Sequence, residues 1–194
     1  MQNRRSFMKT AGMVSGTALT VGPLLGLSTC STVEQDIMNY VPVALTAFSE
    51  IITLINPAEA AALAPIIADV KIALADIQAA VVAYENAPAA NKATLACKIA
   101  TAIQVAQNEL QKFWSDLNIP DAGLAAVIAG ILQIVLSTLM AFVPALNCSA
   151  PPPASEKKAL KKTVAFTPKK RSVVQFKKDI NAELVKGHYA PIFK

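Results

Sequence analysis

The chain has 194 residues, of which 54% are hydrophobic but only 6% aromatic, and its formal charge is +5. Ala, Ile, Leu and Val therefore supply the apolar content, and the length suits one domain with a hydrophobic core. Residues 30–150 carry four lysines against ten acids, whereas residues 151–194 carry eleven Lys and Arg against three acids. This asymmetry excludes a body that is basic throughout. It predicts that the basic end contacts an anionic surface or the protein's own acidic body.

The first 30 residues are organised as an export signal, with a short basic segment followed by an uncharged region, 11–27, that is diluted with Gly, Ser and Thr. The segment resembles bacterial twin-arginine signal peptides, which read Ser/Thr-Arg-Arg-x-Phe-Leu-Lys, with Asn3 and Met8 replacing the Ser/Thr and the Leu. The matching positions are Arg4, Arg5, Phe7 and Lys9. This resemblance implies export of an already folded chain. An ordinary basic N-terminus on a hydrophobic anchor is the alternative.

The end of this signal, Leu27-Ser28-Thr29-Cys30, resembles a lipobox. The resemblance implies that Cys30 is lipidated and becomes the first residue of a lipoprotein at the periplasmic face of a bacterial membrane. Thr29 stands where a lipobox usually has Gly, Ala or Ser, so cleavage nearby by the general signal peptidase is the alternative. We accordingly divide the chain into an export signal (1–29), a helical domain (30–149), and a linker with a cationic tail (150–194).

Two apolar patterns spaced 4, 3, 4, 3 and 4 residues apart predict the first two helices of a bundle. We expect the first helix to begin near Ser31 or Thr32, with Pro42 marking its true start or a kink. Asn56 is the predicted N-cap of the next helix, and Glu59 completes a capping-box pair with it. The two patterns are Ile37, Val41, Ala44, Phe48, Ile51 and Ile55, and then Leu63, Ile67, Val70, Leu74, Ile77 and Val81.

A third helix is predicted over 91–117, with an apolar face running from Leu95 to Leu117. At 100° per residue, Cys97 lies about 160° from the middle of that face and therefore points away from the core. If Cys30 is lipidated, Cys97 and Cys148 remain as an even pair in an oxidising compartment. We therefore predict a Cys97–Cys148 disulfide across the outside of the bundle.

The fourth segment, 121–146, has two interpretations. It is long and apolar enough to cross a bilayer, and Ala126 and Gly130 form a small-xxx-small pair that permits close helix approach. An all-round apolar helix is also what the centre of a small bundle requires, because three amphipathic helices need something to pack against. We favour the buried helix. The predicted fold class is thus all-α, an antiparallel four-helix bundle over about 33–146.

After Cys148 the composition changes to a Pro-rich linker, 150–155, and then to a Lys-rich segment, 156–171, that we expect to be mobile. A short amphipathic helix from Val173 is predicted to stop at Gly187, and it could dock on the bundle or lie on a membrane surface. The residues expected to contact an anionic surface are Lys157, Lys158, Lys161, Lys162, Lys169, Lys170 and Arg171.

Chemistry-bearing motifs are scarce. His188 has no neighbouring acid or nucleophile in sequence, and the cysteines lack zinc-site spacing, so we expect no catalytic residue, metal or cofactor. We predict a non-enzymatic cell-envelope module, bound to the membrane by the lipid anchor and to anionic lipid or envelope polymer by its tail. We expect no nucleic-acid partner. The alternatives are a membrane-active protein that inserts residues 122–146, and a carrier of a small apolar ligand beside Phe48, Phe113 and Trp114.

Overall fold

The computed structural model describes the backbone of residues 24–148 and 162–194, and side chains in these ranges from residue 33 onward. This part of the chain is all-helical, as predicted, and contains no strand. Arg4, Arg5, Phe7, Lys9 and the side chain of Cys30 lie outside the described residues. The helices are α1 (Leu24–Leu54), α2 (Pro57–Ala62), α3 (Ala64–Glu85), α4 (Ala89–Asp116), α5 (Ala122–Met140) and α6 (Val173–Lys186), with a 3₁₀ turn at Pro144–Leu146.

The residues predicted to face the core of the first two helices are all buried. The pattern that runs from Ile37 to Ile55 forms the inner face of α1 and ends just after it. The pattern that runs from Leu63 to Val81 begins just before α3 and forms the inner face of that helix. On α4, the same holds for Ile99, Ile103, Ala106, Leu110 and Phe113. The 3.6-residue helical period therefore predicted the core of these three helices correctly.

The beginning of α1 differs from the prediction, because the helix already starts at Leu24 and passes through Pro42 without interruption. Pro42 is exposed, so its ring lies on the solvent face of the helix. Glu34, which follows the expected start at Ser31 or Thr32, therefore lies well inside α1 and is 1% exposed. The predicted starts at Ser31, Thr32 and Pro42 are wrong.

Asn56 caps α2 as predicted, since its Oδ1 accepts a hydrogen bond from the Glu59 N–H at 2.8 Å. The Glu59 carboxylate does not complete the predicted capping box. It accepts instead from the backbone N–H of Asn118, at 2.6 Å. This bond ties the short helix α2 to the loop between α4 and α5, so a residue predicted to act locally makes a contact between distant segments.

Helix α5 lies at the centre of the fold and packs against α1, α4 and α6. Ten of its nineteen residues are buried, from Val127 to Leu139, and they occupy most of the circumference of the helix. A narrow stripe that includes Ala126 and Gln133 is exposed. Two segments, Val33–Leu54 and Ala122–Leu146, are long and apolar enough to cross a membrane by length and composition alone. In the second, 61% of the most apolar window is covered by the rest of the protein. These contacts favour the buried interpretation.

The amphipathic helix near the C-terminus, α6, docks on the helical assembly through Phe176, Ile180 and Leu184, all at most 1% exposed. Gly130 of α5 leaves room for the Glu183 side chain of α6, since an added Cβ there would lie 2.7 Å from Oε2 of Glu183. The small-xxx-small pair suggested that another helix approaches α5 closely within a membrane. In the structure, Gly130 of that pair faces α6 instead. The expectation of mobility is wrong for residues 162–171, because Val164 is 7% exposed and packs into the core.

The end of α6 is a Schellman-type turn, in which the Tyr189 N–H donates to Leu184 O at 2.9 Å and the His188 N–H to Val185 O at 3.0 Å. The residue with positive φ is His188, at 64°, whereas Gly187 has φ −86°. Gly187 is required for a different reason. A Cβ at this position would collide with a methyl group of Val127 and lie 2.9 Å from the Tyr189 ring.

We expect substitutions at these two neighbouring positions to have opposite effects. Gly187→Ala should destabilise the protein by about 1–3 kcal/mol, because the added methyl group forces α6 away from α5. His188→Gly should stabilise it by about 0.5–1 kcal/mol, because glycine adopts positive φ without strain. Chemical denaturation of the full chain measures both. A Gly187→Ala variant as stable as the wild type would contradict the close packing of α6 on α5.

Candidate functional site

The described ranges, 24–148 and 162–194, contain no cluster of three or more His, Cys, Asp or Glu side chains able to hold a metal ion. His188 is exposed and belongs to the turn that ends α6. Phe48 and Phe113, considered as lining residues for an apolar ligand, pack edge to face with ring centroids 5.0 Å apart. This contact makes them core residues.

Cys97 and Cys148 form a disulfide, with their Cα atoms 5.2 Å apart. Both residues are half-buried, at the outer side of α4 and just after the 3₁₀ turn. Asn147, in the left-handed conformation at φ 51°, turns the chain directly before Cys148. The disulfide thus attaches the turn that follows α5 to the outer side of α4.

The basic residues proposed to contact an anionic surface fall into three groups. Lys157, Lys158 and Lys161 lie outside the described residues. Lys162 is engaged by the protein itself, because its Nζ donates to Leu117 O and lies 4.3 Å from the centroid of the Trp114 ring. Lys169, Lys170 and Arg171 lie near the far end of residues 162–172, the extended segment that leads to α6. The environments of these three side chains differ.

Arg171 is the centre of a polar cluster between α5 and α6. Its side chain is only 10% exposed, and its Nε donates to Oδ2 of Asp179 at 2.9 Å. One terminal nitrogen donates to Ser137 Oγ at 2.7 Å and to Thr138 Oγ1 at 3.0 Å. A guanidinium engaged in this way is not available to an external anion. The prediction that Arg171 contacts an anionic surface is therefore wrong.

Lys169 and Lys170 remain exposed beside this cluster. The backbone N–H of Lys169 donates to Ser137 O at 2.9 Å, which holds the segment against α5 while its side chain faces solvent. Lys170 Nζ lies 3.5 Å from Oδ2 of Asp36 on α1, with the lysine side chain 66% exposed. A pair this exposed is weak, so the ammonium group stays accessible to other anions.

A buried glutamine holds the other end of the extended segment. Gln111 Nε2 donates to Val164 O and Gln111 Oε1 accepts from the Val164 N–H, both at 2.8 Å. Asn181 acts similarly on the C-terminal residues, accepting from the N–H groups of Ile192 and Phe193 at 3.1 Å and donating to Phe193 O at 2.6 Å. Sequence reasoning missed both amides. The helical period gave no signal for Gln111, which lies about 100° around α4 from Leu110 and outside the predicted apolar face.

Two buried titratable groups on α1 have shifted pKa values. Burial raises the pKa of Glu34, and a contact with the Tyr84 side chain and the charge of Lys92 oppose this rise only in part. Burial, with the nearby charge of Asp36, raises the pKa of Tyr40 to about 12, although the charge of Arg171 opposes the rise. The Tyr40 hydroxyl makes no hydrogen bond within the described part of the chain. Both groups therefore favour their neutral forms.

Compared with known proteins, the chain matches no family model, no curated protein and no solved structure. Its function therefore has to be argued from its own residues.

Removal of the Arg171 guanidinium should destabilise the protein, because Asp179, Ser137 and Thr138 lose a shared donor in a largely buried site. We expect Arg171→Ala to lower the free energy of unfolding by about 3 kcal/mol. Lys170→Ala, next in sequence but exposed, should change it by less than about 0.5 kcal/mol. Urea denaturation of the full chain compares the two. Equal effects of both variants would contradict the assignment of Arg171 as a structural anchor.

The raised pKa of Glu34 predicts that this residue lowers the stability of the folded protein at neutral pH. Because the folded-state pKa lies above the ordinary value of 4.5, the stability linked to the protonated carboxyl is complete below pH 4.5 and is lost as pH rises through the folded-state pKa. Glu34→Gln should therefore be more stable than wild type at pH 7 and equally stable near pH 4. Thermal unfolding of both proteins across this range measures the difference. A difference that does not change with pH would contradict the prediction.

Proposed function

We propose that this protein is a non-enzymatic, exported cell-envelope module that is held at a bacterial membrane by a lipid on Cys30 and contacts anionic surfaces through its exposed lysines. The resemblance of residues 1–30 to a lipoprotein signal of the twin-arginine type supports export. The Cys97–Cys148 disulfide supports an oxidising compartment. The all-helical fold, dominated by local contacts, suits a pathway that carries folded proteins.

The observation that carries the anionic-surface proposal is the contact of Lys170 with Asp36. Asp36 lies six residues after Cys30 in the continuous helix α1, a separation of about 9 Å along the helix axis. Lys169 and Lys170 therefore project near the end of the molecule that begins with the proposed lipid anchor. We infer that these two lysines face the phospholipid headgroups of the membrane that holds the anchor, where each contributes about 1 kcal/mol to binding.

Insertion of residues 122–146 into the bilayer is the competing proposal. Insertion would require α5 to leave α1, α4 and α6, and Ser137 and Thr138 to lose their bonds to Arg171. Those losses support a protein that is attached to the membrane surface. We retain the antiparallel four-helix bundle, formed by α1, α3, α4 and α5, as part of this proposal, with α6 packed against it.

Membrane association of a Cys30→Ser variant tests the proposal. We expect wild-type chains to stay with membranes in carbonate and high salt, and Cys30→Ser chains to be released by either treatment. Retention of Cys30→Ser in carbonate would favour insertion of residues 122–146. An Arg4→Lys, Arg5→Lys chain provides the export control, because it should remain inside the cell.

The lysine contact is measured by binding of the Cys30→Ser chain to phosphatidylcholine vesicles with and without phosphatidylglycerol. Lys169→Gln with Lys170→Gln should weaken binding to the anionic vesicles by roughly thirtyfold. Lys71→Gln with Lys186→Gln removes the same charge from exposed positions elsewhere and should weaken it little. Equal loss in both double variants would show that net charge alone, rather than this end of the molecule, determines binding.

A further inference from the structure

A shallow groove runs along the outer side of the α3–α4 pair. It has a volume of about 250 Å³ and is lined by Ala73, Asp76, Lys98, Thr101, Ala102 and Val105. The first two residues belong to α3 and the other four to α4. Alanines at its base leave the backbones accessible to a close approach, since a helix packs most closely where its neighbour has small side chains.

The rims of the groove carry opposite charges that are not paired with any residue in the described part of the chain. Asp76 and Lys98 are both exposed, and neither forms an ion pair with another described residue, in contrast to the neighbouring pair Asp69 and Lys112 at 3.5 Å. Helices α3 and α4 are joined by a short turn around Ala87. Asp76 precedes Ala87 by 11 residues and Lys98 follows it by 11, so the two charges stand level with each other across the groove.

An exposed apolar side chain extends this surface beyond the groove itself. Ile72 is 60% exposed and lies one turn before Asp76 on the same face of α3, and Val105, which lines the groove on α4, is 36% exposed. The two helices are 22 and 28 residues long, which gives about 33 and 42 Å of continuous surface. This length is sufficient for an interface of ordinary size.

We propose that a second copy of this chain occupies the groove, in a two-fold symmetric dimer whose axis runs parallel to it. Rotation about such an axis places α3 of one copy over α4 of the other. Asp76 of each copy then faces Lys98 of the other, so the two unused charges become two ion pairs across the interface, and Ile72 and Val105 are covered. The surface is self-complementary because its acid and its base lie on opposite rims at the same level. This proposal does not depend on export or lipidation.

Two differently tagged copies of the full chain, produced together and extracted in mild detergent, test the dimer. Wild-type copies should co-purify. Asp76→Lys on both copies, or Lys98→Asp on both, should weaken association by about tenfold, because each contact becomes a repulsion. Asp76→Lys on one copy combined with Lys98→Asp on the other should restore co-purification, because the opposite charges then face each other again. A general loss of folding would not be restored in this way.

The apolar part of the interface has a matched control. Ile72→Glu should weaken co-purification, whereas Val174→Glu on α6, where the valine is 63% exposed, should not. Native mass spectrometry of the same samples gives the stoichiometry. Monomers alone, or a dimer that both charge reversals leave intact, would overturn the proposal. Occupation of the groove of a monomer by a small molecule or another protein would overturn it equally.

Discussion

The structure depends on the need to cover most of the surface of helix α5. Its buried residues, from Val127 to Leu139, occupy all of its circumference except a narrow stripe that includes Ala126 and Gln133, so removing the neighbouring helices would expose large aliphatic side chains. Helices α1 and α4 cover part of this surface, and α6 covers another part through Phe176, Ile180 and Leu184. The C-terminal region is therefore part of the core. The composition predicts a basic tail over residues 151–194, but apolar side chains within this tail cover part of the hydrophobic core.

The chain that leads to α6, residues 162–172, crosses an apolar surface in an extended conformation. The backbone N–H and C=O groups of these residues need hydrogen-bond partners there. The fold meets this requirement with side chains that bond to the backbone. Gln111 pairs with both polar groups of Val164, Asn181 holds Ile192 and Phe193, and Arg171 joins Asp179 to the hydroxyl groups on α5. Unpaired backbone groups in such places cost more free energy than these ordered side chains do. The same contacts decide which cations remain on the surface.

Both proposals rest on what this packing leaves exposed. Lys162 and Arg171 are engaged in internal contacts, whereas Lys169 and Lys170 remain exposed, with Lys170 beside Asp36 on α1. On another side of the molecule, α3 and α4 present a groove with unused charges, and these helices reach the remaining core chiefly through α1 and α5. The proposed membrane-facing end and the proposed self-associating face are compatible with each other. Both are properties of surfaces, and neither requires a catalytic group.

The sequence by itself determined that the helices form, the inward faces of α1, α3 and α4, and the outward position of Cys97, because these depend on a local period of 3.6 residues. It predicted α6 between Val173 and Gly187 for the same reason. Only the tertiary structure decided that α6 joins the core, that Glu59 bonds to Asn118 rather than to its own helix, and that Gly187 is needed for contact with Val127 rather than for its turn. Each of these rests on a contact between residues far apart in the chain. A local pattern contains no information about which distant group will lie opposite a given side chain.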